Sequence, residues 1–220
     1  REVTSSWGIP AILKSYFMMQ QLQSRYALRK VEDIAYFDGE RWLSTSQAVR
    51  TDAYKRGQIR VRYAGGLTTV VNLSLNDTLR TTLGDRTVVL PPNGYAAAGP
   101  DFFELSSLVN GHRVDLVISP EYLYADGRGR PFRSDAIEVT NSAVVLKDRG
   151  AVWVVPIDET EQVSFQLDAL GLKAPVRVVG CDQDGKVVPK KVKFSLRNGR
   201  LNVEMDDQFF RYRVDQSGRP

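Results

Sequence analysis

Five two-residue turn signals divide most of this sequence into short segments rich in β-branched and aromatic residues. They are Asp38-Gly39, Gly65-Gly66, Asn110-Gly111, Asp184-Gly185 and Asn198-Gly199. Asn-Gly and Asp-Gly pairs readily adopt the positive φ angles of type I′ turns, whose twist matches that of two antiparallel strands. The sequence therefore predicts a mainly β protein built from antiparallel hairpins.

Residues 10–30 form the one long segment with the periodicity of a helix. Pro10 suits the first helical position, and apolar residues recur after it at spacings of three and four. From Glu32 onward the apolar period changes to two, as expected for strands. Burial gains roughly 1.5 to 3 kcal/mol per large apolar side chain, so we expect the helix to pack against the β region or against a second copy of the chain. The side chains expected to be buried are Ile12, Tyr16, Phe17 and Tyr26.

A turn-rich connection over residues 120–134 is the best candidate for a domain boundary. Gly127, Gly129 and Pro131 are expected to break any regular element there. The many short strand-like segments beyond it suit a small sandwich of immunoglobulin-like size. The predicted fold is an N-terminal helix followed by antiparallel β-sandwich domains. The predicted parts are residues 1–32 as the helix, 33–135 as a first antiparallel β domain and 136–220 as a second, immunoglobulin-like β-sandwich.

The charge pattern argues against a nucleic-acid partner. Lys and Arg total 30 against 26 Asp and Glu, a net charge of +4, and these residues are scattered along the chain. Phosphate contacts need a continuous positive face. No apolar segment approaches the ~20 residues that cross a bilayer, so we also expect no membrane span. Because the chain begins at Arg1, we expect it to be a processed or excised part of a longer protein.

Residues with catalytic or metal-binding chemistry are few and unsupported by motifs. Cys181 is the only cysteine and His112 the only histidine, which leaves no intramolecular disulfide, no cysteine-based zinc site and no supported catalytic triad. Asp158-Glu159 and Asp206-Asp207 fit solvated turns. We therefore predict no catalytic residue, no metal ligand set and no cofactor.

Aromatic and polar residues near loops are the best candidates for sugar contact. Flat rings stack on the apolar faces of sugars while polar side chains bond the hydroxyls. The candidate residues are Tyr122, Tyr124, Asp126, Arg128 and Trp42. For the two tyrosines, burial at the join between two sheets is the other interpretation.

Four segments carry a resemblance to a known class of protein: KSYFMMQQLQSRYA from residue 14, VRYAGGLTTVVNLS from 61, LPPNGYAAAGP from 90 and ISPEYLYADGRG from 118. Together they resemble the C-terminal part of large bacterial proteins built around a glycosidase-type TIM barrel. The resemblance implies that Ile12–Tyr26 is the last helix of the barrel. It also implies that the catalytic carboxylates lie upstream of Arg1, and that the protein is extracytoplasmic or secreted.

The function expected on this basis is that of a non-catalytic accessory β-sandwich region of a glycoside hydrolase, which supports a catalytic barrel not present in this chain. Its expected partner is the upstream catalytic domain of the same parent chain, with self-association through the N-terminal helix as another contact to test. The alternative is a carbohydrate-binding module that acts through exposed aromatic residues. A small hydrolase in its own right is disfavoured, because no placed nucleophile and base are visible.

Overall fold

A computed structural model of the chain describes residues 8–148 and 150–216. As predicted, these residues form a mainly β protein in which an N-terminal helix precedes antiparallel sheets. The two α-helices are α1, Ile9–Tyr26, and α2, Thr45–Arg50. Two short 3₁₀ helices cover Ala53–Arg56 and Asp168–Leu170.

The chain divides into two compact units. Among the described residues, the terminal unit combines residues 8–18 with 116–148 and 150–216, and the middle unit covers residues 19–115. The division falls inside α1 and inside the strand His112–Ile118. The domain boundaries predicted after residues 32 and 135 stay predictions.

The middle unit contains one antiparallel sheet and one separate hairpin. Its strands are β1 Val31–Phe37, β2 Trp42–Ser44, β3 Gln58–Tyr63, β4 Thr68–Asn72, β5 Leu79–Leu83, β6 Arg86–Leu90, β7 Gly94–Gly99, β8 Phe102–Val109 and the first part of β9 His112–Ile118. The strands of the sheet pair in the order β2-β1-β3-β4-β7-β8-β9, while β5 and β6 pair with each other. The hairpin packs against β4, β7 and β8, and this cover buries Val70 of β4 completely.

The terminal unit contains two antiparallel sheets. Its further strands are β10 Tyr122–Asp126, β11 Phe132–Arg133, β12 Ile137–Val139, β13 Ser142–Asp148, β14 Ala151–Pro156, β15 Gln162–Gln166, β16 Val176–Cys181, β17 Phe194–Arg197, β18 Arg200–Glu204 and β19 Arg211–Gln216. One sheet has the order β9-β10-β13-β14-β19-β16 and the other β11-β12-β15-β18-β17. Strands β10 and β12 of the two sheets are in contact, which gives a sandwich-like arrangement within this unit.

Four of the five turn signals connect paired strands, as predicted. Asp38-Gly39 lies between β1 and β2, Gly65-Gly66 between β3 and β4, Asn110-Gly111 between β8 and β9, and Asn198-Gly199 between β17 and β18. Asp184-Gly185 also lies in a tight turn, but only a single bridge between Cys181 and Val187 joins its two sides.

The expectation that residues 120–134 lack regular structure is wrong. This segment contains β10, which pairs with β13 and is buried along its whole length. Side chains of adjacent strand residues point to opposite faces, so a strand buried on both faces has no polar alternation to reveal it. Gly127 and Gly129, which suggested a turn-rich connection, come after β10 has ended.

Helix α1 is shorter than predicted, and it buries a different face. Met18, Gln21 and Leu22 are buried, and Phe17 and Tyr26 are partly buried. Ile12 and Tyr16 were expected to pack against the β region or a second copy of the chain, and they are 56% and 51% exposed within this chain; packing against a second copy stays a prediction. The apolar stripe of this helix is too wide for a single buried face, because the helix carries apolar side chains on two opposite faces. None of the helices in the described part of the chain is long and apolar enough to cross a membrane.

Candidate functional site: the two faces of helix α1

The structure brings together four of the five residues predicted to contact sugar. Tyr122, Tyr124 and Asp126 alternate along β10 and therefore share one face of the strand. Arg128 follows the strand with an exposed side chain and a φ of 51°, and its backbone N–H donates to Oδ1 of Asp126 at 2.7 Å. The fifth residue, Trp42, belongs to the middle unit.

Both tyrosines are core residues that hold the first half of α1 on the sheet. Tyr122 is 3% exposed and Tyr124 is fully buried. The Phe17 ring packs edge-on against Tyr122, with ring centroids 5.3 Å apart, and stacks on Tyr124 at 6.1 Å. The Tyr122 hydroxyl also donates to the backbone carbonyl of Phe17. With both rings packed in the core, neither presents a free face to a sugar.

A charged cluster fixes the same stretch of helix. The Lys14 ammonium lies 2.8 Å from Oδ2 of Asp126, whose side chain is nearly buried, and 2.5 Å from Oδ2 of Asp158. Ser142 Oγ donates to the same Asp158 oxygen at 2.9 Å, and Ser142 is the residue that pairs with Asp126 across β10 and β13. A buried carboxylate is costly unless it is paired, and Lys14 supplies the pair.

The electrostatics of this cluster favour the charged lysine. Partial burial by itself would lower the pKa of Lys14, but hydrogen bonds from the ammonium to Asp126 and Asp158, together with their negative charges, outweigh it. The net effect raises the pKa of Lys14 above its ordinary value. The ammonium therefore stays protonated through the neutral range, and the contact between helix and sheet persists there.

The opposite face of α1 is apolar and exposed. Successive helical residues are rotated by roughly 100°, so residues 12 and 16 lie on the side of the helix opposite Lys14 and Met18. Each of the large apolar residues on this side is more than a third exposed: Ile9, Ile12, Leu13, Tyr16 and Met19. We call these five residues the outward face. It is an apolar stripe on a helix that the charged and aromatic contacts hold in a defined orientation.

Trp42 has its own neighbours in the middle unit. Its ring is partly buried, lies 5.3 Å from the Phe37 ring in a tilted arrangement, and is covered by the Arg60 guanidinium at 4.9 Å. Contact of Trp42, Asp126 and Arg128 with sugar stays a prediction. A sugar bound by these residues would not stack on Tyr122 or Tyr124, because both rings are buried.

Cys181 and the acidic residues of the described chain are the remaining candidates for reactive or metal-binding chemistry. Cys181 is buried in β16, and burial raises the pKa of its thiol. Within residues 8–148 and 150–216, no group of three or more His, Cys, Asp or Glu side chains is arranged to hold a metal ion.

Sequence reasoning missed the Lys14 cluster, although one signal pointed to it. Lys14 is the only charged residue between Gly8 and Ser24. A lone charge in an apolar helix calls for a buried carboxylate partner. The identity of the partners depends on tertiary structure, since Asp126 and Asp158 follow more than 100 residues later.

Comparison with known proteins adds no relative. No family model matches the sequence, and neither a curated protein nor a solved structure is detectably similar to it.

Proposed function

We propose that this chain is a non-catalytic accessory β region that supports a neighbouring catalytic domain, and that this domain packs against the outward face of α1. The observation that carries the proposal is the pair of opposite faces on one helix. One face is held by Lys14, Phe17 and Met18, and the other displays five large apolar side chains to solvent.

The energetic argument favours a partner for the outward face. Burying a large apolar side chain gains roughly 1.5 to 3 kcal/mol, and a contiguous exposed apolar patch commonly marks an interaction surface. A helix that is already anchored loses little further freedom when a partner docks on it, which lowers the entropic cost of association.

The nature of the catalytic domain rests on the resemblance of four sequence segments to the C-terminal region of glycosidase-type TIM-barrel proteins. In that arrangement α1 is the last barrel helix, its outward face contacts the barrel, and the catalytic carboxylates lie upstream of Arg1. The proposal thus places the chemistry outside this chain.

Expression of the chain with the residues that its gene encodes before Arg1 tests the proposal. We expect the longer protein to hydrolyse a glycoside and to be more stable than the chain alone. A gene that encodes no catalytic domain before Arg1 would overturn the proposal. Size-exclusion chromatography over a range of protein concentrations distinguishes self-association from docking of a neighbouring domain. A dimer formed through the outward face would dissociate on dilution.

The alternative proposal, a carbohydrate-binding module, depends on exposed rings other than Tyr122 and Tyr124. Tyr16 and Tyr54 are 51% and 44% exposed and are the tyrosines most available for stacking. Saturable binding to a polysaccharide that is lost in Tyr54→Ala, a residue away from the outward face, would favour this alternative.

A further inference from the structure

An open groove in the middle unit combines two arginines with two threonines. Arg60 and Arg62 of β3 and Thr68 of β4 line it from the sheet, and Thr82 and Gly84 line it from the β5–β6 hairpin. Its volume is about 440 Å³. Sites for small molecules commonly measure roughly 300 to 1,000 Å³, so the groove can hold a compact ligand.

The groove carries excess positive charge. None of the described residues that line it is acidic. The nearest pairing carboxylate is Asp33 of β1, whose Oδ2 lies 3.2 Å from Arg62 and 4.0 Å from Arg60. The Asp33 carboxylate is thus the shared partner of two guanidinium groups, and its distance to Arg60 is at the upper limit for an ion pair. Strand register places Asp33 opposite Arg62, and Arg62 opposite Thr68, so all three project from one face of the sheet.

Arg60 is positioned by its neighbours and retains hydrogen-bonding capacity. Its guanidinium lies over the Trp42 ring, 4.9 Å from the ring centroid, which restricts its rotation. Its Nε is buried and donates no hydrogen bond to any described residue. The terminal nitrogens of Arg60 make only a long ion pair with Asp33, at 4.0 Å, and such a planar guanidinium is suited to bidentate recognition of a carboxylate or a phosphate.

We propose that this groove binds a small oxyanion, a ligand that carries a carboxylate or a phosphate group. The guanidinium groups of Arg60 and Arg62 pair with the anion, and the hydroxyls of Thr68 and Thr82 bond its remaining oxygens. The site is independent of the outward face of α1 and of the proposed accessory function.

A pair of substitutions at Gly84 tests the site without altering the arginines. Gly84 has a φ of +64°, and a Cβ at this position would meet no atom within 4 Å. Asp and Asn both tolerate this left-handed conformation better than other side chains. Gly84→Asp adds a negative charge to the groove, and Gly84→Asn adds a side chain of the same shape without the charge.

Isothermal titration at low ionic strength, with inorganic pyrophosphate in one arm and citrate in the other, measures the binding. We expect saturable binding that Gly84→Asp weakens at least about tenfold and Gly84→Asn leaves nearly unchanged, because like charges repel strongly when screening is low. Binding of pyrophosphate alone assigns the site to phosphates, and binding of citrate alone assigns it to carboxylates.

A second matched pair of substitutions distinguishes binding in the groove from non-specific attraction of anions to a basic protein. Arg62→Gln should weaken binding, and Arg133→Gln should not, although Arg133 is also an exposed arginine beside a carboxylate, Glu138. Thermal melts of each variant confirm that it is folded. Failure of both anions to bind the folded wild-type protein, or an equal loss in Arg62→Gln and Arg133→Gln, would overturn the proposal.

Discussion

Lys14 is one of the residues that fix the orientation of the first half of α1. Its ammonium pairs with both Asp126 and Asp158. Because its folded-state pKa is raised, its contribution to stability is fully present below the pKa of a free lysine. That contribution is lost only as the pH rises through the higher folded value. The anchor therefore holds throughout the neutral range.

Replacing Lys14 with methionine should destabilise the protein by about 2 to 3 kcal/mol. Breaking a buried ion pair costs roughly 3 to 5 kcal/mol, and we expect less because the Lys14 side chain is 26% exposed. Denaturant unfolding measures the change. Lys55→Met is the matched control, since Lys55 pairs with Asp52 on the surface, where solvent screens the pair and it contributes little to stability. Equal effects of the two substitutions would contradict the role assigned to Lys14.

Glu104 is a second residue with a strong local constraint. It lies on β8, is completely buried, and accepts a hydrogen bond from the Tyr95 hydroxyl at 2.6 Å. Burial raises the pKa of Glu104 to about 8; the Tyr95 hydrogen bond and the charge of Arg25 oppose this rise, and the charge of Asp115 adds to it. The side chain is thus largely protonated at neutral pH.

The stability of the protein should fall as the pH rises from about 4.5 to about 8, because Glu104 holds its proton in the folded state and loses it in the unfolded state. The fall attributable to Glu104 is on the order of 5 kcal/mol, from the difference between a pKa of 4.5 and one of about 8. Glu104→Gln should abolish this part of the pH dependence, measured by denaturant unfolding across the range. In the control Glu40→Gln, at an exposed position, the wild-type slope should remain. A slope unchanged in Glu104→Gln would show that this carboxyl is not the titrating group.

At the scale of the element, α1 combines a structural face with an exposed one. Phe17→Ala should cost about 2 to 3 kcal/mol. This is less than the roughly 3 to 5 kcal/mol for a fully buried phenylalanine, because Phe17 is only partly buried. Ile12→Ala should change the stability of the chain by less than about 0.5 kcal/mol, since its side chain lies on the surface. Thermal melts of the two variants compare these faces, and a larger loss in Ile12→Ala would reverse their assignment.

The elements that depend on local chemistry were predictable from the sequence. Asn110-Gly111 and Asn198-Gly199 adopt the positive φ values that their hairpins require, and the helical period of residues 10–30 locates α1 within a few residues. Helix α2 was missed, although Ser44 and Gln47 form a capping box whose spacing is visible in the sequence.

The elements that depend on distant parts of the chain were not predictable. Strand β10 has no alternation because both of its faces are buried. The buried face of α1 is determined by Asp126 and Asp158, which no local pattern connects to Lys14. Of the candidate site residues, Tyr122, Tyr124 and Asp126 lie on one face of β10, but the two tyrosines contact Phe17 of α1 and Asp126 contacts Lys14 of α1.

At the scale of the whole molecule, we propose that the outward face of α1 receives a neighbouring domain. The chain has a convenient property for testing it, because its only cysteine, Cys181, is buried and has a raised thiol pKa. A cysteine introduced on the surface is therefore the one thiol expected to react quickly.

The most direct measurement is the rate of thiol labelling of Ile12→Cys, both in this chain alone and in the longer protein with the domain encoded before Arg1. Ser46→Cys, on the exposed surface of α2, is the control. We expect rapid labelling of both variants in the chain alone. In the longer protein we expect labelling of Ile12→Cys, but not of Ser46→Cys, to be at least about tenfold slower, because docking buries the outward face. Equal labelling rates for Ile12→Cys in the two proteins would contradict this proposal.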